Sequence, residues 1–155
     1  MPSKVKPVPD GYHTATPYLI VDNCAAAIEF YQRALGAKEI FRFPGPGGKI
    51  AHCEIEVGDS RIMLADESRD WGTFSPRSLK GTPASIFLYV DDVDASYRKF
   101  VQAGGKEVVP VENMFWGDRF GKVTDPFGHE WQIATHKEDL SPAEMEKRMG
   151  AMVAK

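Results

Sequence analysis

The chain has 155 residues, of which 43% are hydrophobic and 26% are charged, and its formal net charge at pH 7 is −3. This composition suits one globular domain, and the acidic balance argues against a nucleic-acid partner, because phosphate binding needs a basic surface. No apolar run approaches the roughly 20 residues that cross a bilayer, and the N-terminal stretch lacks the apolar segment of a secretory signal. We therefore expect a cytoplasmic protein without a membrane partner.

The first half of the chain predicts a strand, a helix and three more strands. A strand over 16–21 is followed by Asp22 and Asn23, which are residue types that begin helices. Apolar residues then recur at helical spacing over 24–35, and Gly36 ends that helix. Period-two alternation between turns rich in Gly and Pro predicts the remaining strands over 38–43, 50–57 and 61–65.

The second half repeats this order of elements. A strand over 85–90 is followed by Asp91 and Asp92, and then by a helix over 93–103 that Gly104 ends. The remaining strands are predicted over 107–111, 118–124 and 130–134. The two halves are therefore interpreted as an internal repeat.

This repeat defines the expected fold. A shift of 69 residues superposes Thr16 on Ser85, together with the elements that follow each of them. We predict an α+β fold of two tandem βαβββ modules, over about 12–68 and 82–136, that form a curved mixed sheet around a cleft. Clefts of this kind tend to bind small molecules.

A third segment predicts a C-terminal helix over about 141–153. Ser141 and Glu144 form a capping box with Pro142 at the first helical position. Methionines then recur at helical spacing. Two interpretations remain open, namely a helix that packs on the body or on a second subunit, and a methionine-lined lid over a ligand.

The two cysteines, Cys24 and Cys53, are too few and too far apart in sequence for a disulfide framework. We expect two reduced thiols that pack in the core, as in other cytoplasmic proteins. The alternative is that one of them is a reactive nucleophile.

The first strands of the two halves predict a lining for the cleft. Thr16 and Tyr18 share one face of the first strand, and Ser85 and Phe87 share the matching face of its repeat. Aromatic walls with a few hydroxyl groups suit an apolar or planar ligand. The alternative is that these rings fill the core.

A second aromatic stretch surrounds Trp116, which we expect to contact the ligand, and it ends at Arg119. A guanidinium at this position would clamp an anionic ligand, and the alternative is a structural ion pair. His136 follows the last strand and is expected at the surface.

His52 and Glu54 are the candidate catalytic residues. They lie two positions apart on a predicted strand, so both side chains point to one face. An imidazole beside a carboxylate has the composition of a general base and its orienting partner. The alternative is a solvated outer face that continues to Glu56.

Several stretches of the chain carry a resemblance to a known family. They are Phe30-Tyr31 with Leu35-Gly36, 115–121, Asp125-Pro126-Phe127-Gly128-His129 and 134–139. Together with the paired modules, they resemble the vicinal oxygen chelate superfamily, which contains glyoxalase I, fosfomycin-resistance transferases, bleomycin-binding proteins and extradiol dioxygenases. The later stretches are similar to its PhnB-like branch. The resemblance implies a single glyoxalase-like domain over 1–155 and a homodimer.

The resemblance also places the family's metal-ligand positions, at Thr16, Ser85 and Gln132. Hydroxyl groups are poor ligands for zinc or nickel, so we predict no metal ligands there and assign Gln132 to ligand binding. The resulting prediction is a protein that binds a small aromatic or anionic molecule, with no confident cofactor. The alternative is a lyase, transferase or dioxygenase that depends on a divalent metal bound by another set, which would include His52, Glu54 or Gln132. A domain that only binds a protein partner is a third possibility.

Overall fold

The computed structural model describes residues 5–154, and the chain divides into two compact units at the junction of Gly81 and Thr82. The hydrogen-bonded strand pairs of the described residues fall into two four-stranded mixed sheets, one in each unit. The predicted α+β fold of tandem βαβββ modules is confirmed. No helix within residues 5–154 is long and apolar enough to span a membrane.

The described part of unit 1 contains four strands and two α-helices. They are β1 (Tyr18–Val21), α1 (Cys24–Leu35), β2 (Lys38–Pro44), β3 (Ile50–Val57), β4 (Ser60–Asp66) and the short α2 (Pro76–Leu79). The sheet order is β1-β4-β3-β2, with β1 parallel to β4 and the other pairs antiparallel. The Asn23 side chain caps α1 by accepting from the Ala26 N–H, and Gly36 ends α1 with a φ of 65°.

The core of unit 1 lies between its sheet and α1. Leu19 and Val21 of β1 are buried on the same face as Cys53 and Ile55 of β3. Residues of α1 at helical spacing are buried too: Ala27, Ile28, Tyr31 and Ala34. Full burial of each large apolar side chain contributes about 1.5–3 kcal/mol. Leu19 and Val21 of β1 therefore face α1, whereas Tyr18 lies on the other side of the sheet.

Unit 2 repeats this arrangement and adds a helix. Its elements are β5 (Ser85–Tyr89), α3 (Val93–Gln102), β6 (Lys106–Asn113), β7 (Asp118–Thr124), β8 (Glu130–His136) and α4 (Pro142–Val153). The sheet order is β5-β8-β7-β6, with β5 parallel to β8. The Asp92 side chain caps α3 by accepting from the Ala95 N–H.

A close approach between helix and sheet defines the core of unit 2. Tyr97 of α3 lies over Gly121 of β7, where an added Cβ would come within 2.7 Å of the Tyr97 ring. The Tyr97 hydroxyl donates to the Val109 carbonyl at 3.0 Å. Phe100 and Trp131 are buried nearby with their ring centroids 6.3 Å apart. Gly121 therefore provides the space that a large ring on α3 needs.

The motif that begins at Asp125 has a structural role. The buried Asp125 carboxylate accepts from the backbone N–H of Phe127 at 2.9 Å and of His129 at 3.0 Å. Its second oxygen accepts from the Trp131 indole at 2.9 Å. Gly128 has a φ of 91°, which completes the turn. One carboxylate thus holds both the turn and the first residues of β8.

The capping box of α4 is formed as the sequence predicts. The Ser141 side chain accepts from the Glu144 N–H, and the Glu144 carboxylate accepts from the Ser141 N–H at 2.8 Å. No residue of α4 is buried against the described residues, and Met149 and Met152 are exposed. Both interpretations of this helix therefore remain predictions.

Candidate functional site

The candidate residues lie mainly on the face of each sheet that is turned away from its core helix, which we call the open face of that unit. In unit 1 a row of paired residues crosses this face. Tyr18 pairs with Met63, Met63 with Glu54, and Glu54 with Phe41. Because directly paired residues project to the same side of a sheet, the four side chains share one surface.

Aromatic rings on the open face of unit 1 are largely exposed. Tyr18 is 48% exposed and Phe43 is 57% exposed. Phe41 lies 5.1 Å from Phe43 and 6.0 Å from His52, measured between ring centroids. A register irregularity in β2 between Glu39 and Phe41 brings both phenylalanines to this side. The alternative that the Tyr18 ring fills the core is therefore wrong for this ring.

Tyr18, His52 and Glu54 form a hydrogen-bonded chain. The Tyr18 Oη lies 2.8 Å from His52 Nδ1, and His52 Nε2 lies 3.2 Å from Glu54 Oε1. Since an ionised carboxylate only accepts, we assign the ring proton to Nε2, and Nδ1 then accepts from the Tyr18 hydroxyl. Burial raises the pKa of Tyr18, and the charge of an ionised Cys24 would raise it further.

Glu54 is the most buried member of this chain. It is only 9% exposed, although it lies on the face away from α1. The alternative of a solvated outer face therefore does not describe its surroundings. The structure links the two predicted catalytic residues to the predicted ligand-binding residue Tyr18, since His52 contacts both Tyr18 and Glu54.

Three of the other predicted ligand-binding residues lie on the open face of unit 2. The Gln132 amide donates to the Ser85 hydroxyl at 2.7 Å, and Phe87 pairs with Gln132 across β5 and β8. The Phe87 ring lies 5.0 Å from Tyr89 and 5.9 Å from Phe120, measured between centroids. Ser85, Phe87 and Gln132 therefore form one continuous surface.

A buried carboxylate ends this aromatic strip, and the sequence analysis did not single it out. Asp118 is 3% exposed. It accepts from the Tyr89 hydroxyl and the Trp116 indole, each at 3.0 Å, and it lies 2.8 Å from His136 Nδ1. The Trp116 ring also lies 5.5 Å from Phe120. The predicted residue Trp116 thus contacts the strip through a shared carboxylate.

One feature of the sequence indicates part of the cluster at Asp118, namely the spacing of His136 from Gln132. His136 lies four positions after Gln132, so period-two alternation puts both on one face of β8. The pairing of Asp118 with His136 across β7 and β8 depends on the register, which the sequence does not reveal. The hydrogen bond to Asp118 raises the pKa of Tyr89.

Arg119 lies on the other face of β7, toward α3. Its guanidinium donates to both carboxylate oxygens of Asp94, at 2.7 and 2.8 Å, and it lies 3.3 Å from the Asn113 side-chain oxygen. An anionic ligand would have to displace Asp94 from this bidentate pair. The structural ion pair, which was the alternative at this position, is what the structure contains.

Thr16 is half-buried and precedes β1, so it does not belong to the paired row. With Ser85 and Gln132 it occupies the positions that the resemblance assigns to metal ligands. The Ser85 hydroxyl accepts the hydrogen bond from the Gln132 amide, and hydroxyl and amide groups are poor ligands for zinc or nickel. Within residues 5–154 no three His, Cys, Asp or Glu side chains are grouped to hold a metal ion. The donor set does not fit the family's metal.

Both cysteines are buried in unit 1, Cys24 at the start of α1 and Cys53 within β3. Burial is the main cause that raises the pKa of Cys24 to about 12 and the pKa of Cys53 to about 11. Since the thiolate is the reactive form, this environment favours core packing over nucleophilic chemistry.

Comparison with known proteins identifies related sequences and folds. Residues 12–133 match the model of the Glyoxalase/Bleomycin resistance protein/Dioxygenase superfamily. An uncharacterized protein of Mycobacterium tuberculosis is 38% identical over 139 residues, which cover 88% of this chain and 82% of that protein.

Solved structures agree with this match. A protein of Arabidopsis thaliana has a TM-score of 0.65 and 28% identity, and the alignment covers 79% of this chain and 98% of that protein. The PhnB protein of Bacillus cereus has a TM-score of 0.62 and 18% identity, with coverage of 79% and 99%. At 18% identity this second similarity shows a shared fold.

Proposed function

Because this chain belongs to the Glyoxalase/Bleomycin resistance protein/Dioxygenase superfamily, whose fold accommodates several chemistries, we propose its function from its own side chains. The chain binds a small planar aromatic molecule that carries a hydrogen-bond donor. The open face of unit 1 receives the ring, and Glu54 accepts from the donor.

One observation carries this proposal: exposed rings surround a carboxylate that is almost buried. Tyr18, Phe41 and Phe43 present apolar surface to solvent on one side of the sheet. Exposed apolar patches with polar groups at their edge mark binding surfaces in monomeric proteins. The Phe41 and Phe43 rings meet edge to face with their centroids 5.1 Å apart, an aromatic arrangement that a further planar ring can join.

The polar groups of this surface select for a donor. Glu54 Oε1 is engaged with His52 Nε2 at 3.2 Å, and among the described residues its second oxygen has no hydrogen-bond partner. An ionised carboxylate in a low-dielectric position gains from each donor it receives. A phenol or an aromatic amine satisfies this oxygen, whereas an aromatic carboxylate would be repelled by it.

The test uses 2-naphthol and its methyl ether, 2-methoxynaphthalene, which lacks the donor. We expect Glu54→Gln to lower the affinity for 2-naphthol about tenfold, since hydrogen bonds to charged groups contribute about 1.5–3 kcal/mol, and to leave the methyl ether unaffected. Phe43→Ala should weaken both ligands. Leu79→Ala removes an exposed apolar side chain of α2, off the sheet, and serves as the control. Equal affinities across these variants, measured by calorimetry, would refute the proposal.

A second candidate function is proton transfer without a metal, which the chain from Tyr18 through His52 to Glu54 favours. A ligand that loses a proton to Tyr18 Oη would allow Tyr18 to pass its own proton to His52 Nδ1. Glu54 would then stabilise the imidazolium that forms. In this scheme Tyr18 is the catalytic residue, His52 accepts the proton, and Glu54 is the positioning residue.

A planar probe reports this activity directly. When 5-nitrobenzisoxazole loses its C3 proton to a base, the C–H electron pair forms a nitrile, the N–O bond breaks and a coloured cyanonitrophenolate is released. General-base catalysis contributes about 10²–10⁴-fold, so Tyr18→Phe and His52→Gln should each abolish the acceleration. A rate that is unchanged in both variants would eliminate this candidate.

The metal-dependent alternative and the homodimer remain predictions. Metal analysis of the untagged protein tests the first, and light scattering tests the second. About one equivalent of zinc, nickel, manganese or iron per chain would favour a metalloenzyme with a ligand set other than Thr16, Ser85 and Gln132.

A further inference from the structure

The open face of unit 2 contains a histidine whose two ring nitrogens both face carboxylates. His136 Nδ1 lies 2.8 Å from Asp118 Oδ1, and His136 Nε2 lies 2.8 Å from Asp139 Oδ1. Since ionised carboxylates only accept, both nitrogens must donate, which requires the imidazolium form. The hydrogen bonds to Asp118 and then to Asp139 raise the pKa of His136.

The two carboxylates differ in burial. Asp118 is 3% exposed and is also held by Tyr89 and Trp116. The side chain of Asp139 is fully exposed, in the segment between β8 and α4. Water competes for an exposed ion pair, and such pairs contribute little to stability. Asp118 therefore fixes the orientation of the ring, while Asp139 is an easily displaced partner of Nε2.

An aromatic strip leads to this cation. Phe87 and Tyr89 are exposed, and their rings lie 5.0 Å apart. Phe120 lies against Phe87, and Trp116 lies against Phe120. The Tyr89 hydroxyl and the Trp116 indole both donate to the carboxylate that orients His136. The strip therefore places apolar surface next to a positive charge.

We propose that the open face of unit 2 is a binding site for aromatic carboxylates, in which His136 Nε2 binds the ligand's carboxylate and Asp139 occupies that position when no ligand is present. The ring of the ligand lies on the strip formed by Phe87 and Tyr89. This site lies on a different unit from the donor-selective surface proposed for unit 1, and it favours the opposite ligand chemistry, since it presents a cation rather than an open carboxylate.

Calorimetry at pH 6 with 2-naphthoate and its neutral analogue 2-naphthamide tests the proposal. We expect His136→Gln to weaken 2-naphthoate about tenfold, because a charge-assisted hydrogen bond is lost, and to change 2-naphthamide little. His13→Gln removes an exposed histidine of unit 1 and should leave both ligands unchanged. If His136→Gln lowers the affinity for 2-naphthoate and for 2-naphthamide equally, His136 does not recognise the charge of the ligand.

Asp139→Asn tests whether Asp139 occupies the position of the ligand's carboxylate when no ligand is bound. This residue is exposed, so it can be changed without disturbing the core. Removal of the competing carboxylate should tighten 2-naphthoate about two- to fivefold, as expected for an exposed ion pair. Weaker binding of 2-naphthoate in this variant would overturn the role of Asp139. The result is independent of the unit 1 proposal, which is tested by 2-naphthol with Glu54→Gln, so either proposal can fail alone.

The location of the site is tested by NMR. The indole N–H of Trp116 donates to Asp118, and its signal can be assigned with Trp116→Phe. Addition of 2-naphthoate should shift this signal and those of the His136 ring, and it should leave the His52 ring signals in place. Shifts confined to His52 would place the ligand on unit 1 and contradict the proposal.

Discussion

Matching rows of paired residues cross the open faces of the two units, with one residue from each strand. In unit 1 the row reads Tyr18, Met63, Glu54 and Phe41, and in unit 2 it reads Phe87, Gln132, Lys122 and Val109. The backbone register is the same, yet a carboxylate in the first row stands where an ammonium stands in the second. Lys122 is itself neutralised by Glu130 at 2.8 Å, whereas Glu54 lies beside an imidazole.

The polar clusters also lie at different places along the first strand of each unit. In unit 1 the cluster begins at Tyr18, the first residue of β1, and its central group is His52. In unit 2 it begins at Tyr89, the last residue of β5, and its central group is Asp118. A repeated backbone therefore does not imply a repeated site, and we propose that the two faces select ligands of different charge.

The cores differ by a compensating exchange of volume. Pairing of the strands places Cys53 of unit 1 opposite Leu64, and Gly121 of unit 2 opposite Ile133. The helix residues at the corresponding positions, 69 apart, are Ile28 and Tyr97. The larger ring on α3 is thus accommodated by the smaller residue in β7, as close packing of protein interiors requires.

We expect the largest loss of stability when the polar cluster at Asp118 is broken, and a smaller loss when the cluster at Glu54 is broken. Asp118→Ala leaves three donors without their shared acceptor, and it should lower the free energy of unfolding by about 2–4 kcal/mol. Glu54→Ala removes one hydrogen bond, and it should cost about 1–2 kcal/mol. Urea denaturation of both variants measures the difference. A Glu54 variant less stable than the Asp118 variant would contradict the structural comparison.

A smaller effect tests the exchange of volume in the cores. Gly121→Ala introduces a Cβ 2.7 Å from the Tyr97 ring, and overpacking of this kind costs about 1–3 kcal/mol. The double variant with Tyr97→Leu should recover part of that loss, because the ring is absent. The same denaturation experiment measures the recovery. If the double variant loses the sum of the two single losses in free energy of unfolding, the two residues are not coupled.

A change in pKa tests the role of Asp118 in orienting His136. Asp118→Asn removes the carboxylate that faces Nδ1 of His136, so the pKa of His136 should fall toward its ordinary value. Because the folded state raises this pKa, protonation of His136 favours folding below the ordinary value, and this contribution is lost as the pH rises through the folded pKa. NMR titration of the ring measures the shift. If the pKa of His136 is unchanged in the variant, Asp118 is not the cause of its rise.

The smallest effect is expected at the thiols, where no reaction should occur. Because burial raises the pKa of Cys24 to about 12 and that of Cys53 to about 11, iodoacetamide at pH 8 should leave both unmodified in the folded protein. In urea both should react completely. If mass spectrometry detects rapid alkylation of either cysteine in the folded protein, that cysteine is again a candidate nucleophile.

The sequence predicts the elements that local signals define. Helix α1 has the predicted bounds, because Asn23 and Gly36 cap it, and β3 and β7 have the bounds expected from alternation and flanking turns. Alternation also correctly separates Leu19 from Tyr18 on β1. These properties depend on neighbours in the chain, so they can be deduced without tertiary contacts.

Contacts between distant residues could not be predicted in the same way. The partner of Asp118 is His136, and their pairing depends on the register of β7 against β8. Phe41 reaches the open face because of an irregularity in β2, which has no evident sequence signal. Arg119 is different, since it is one residue from Asp118 in a regular strand, and alternation alone would have placed it on the side of α3.

We propose that the two open faces bind aromatic molecules of different charge. The most direct test is an NMR titration of the wild-type protein with 2-naphthol and with 2-naphthoate, followed through the ring signals of His52 and His136. We expect 2-naphthol to shift the signals of His52 and 2-naphthoate to shift those of His136. Both ligands shifting the same histidine, or neither ligand shifting either one, would contradict it.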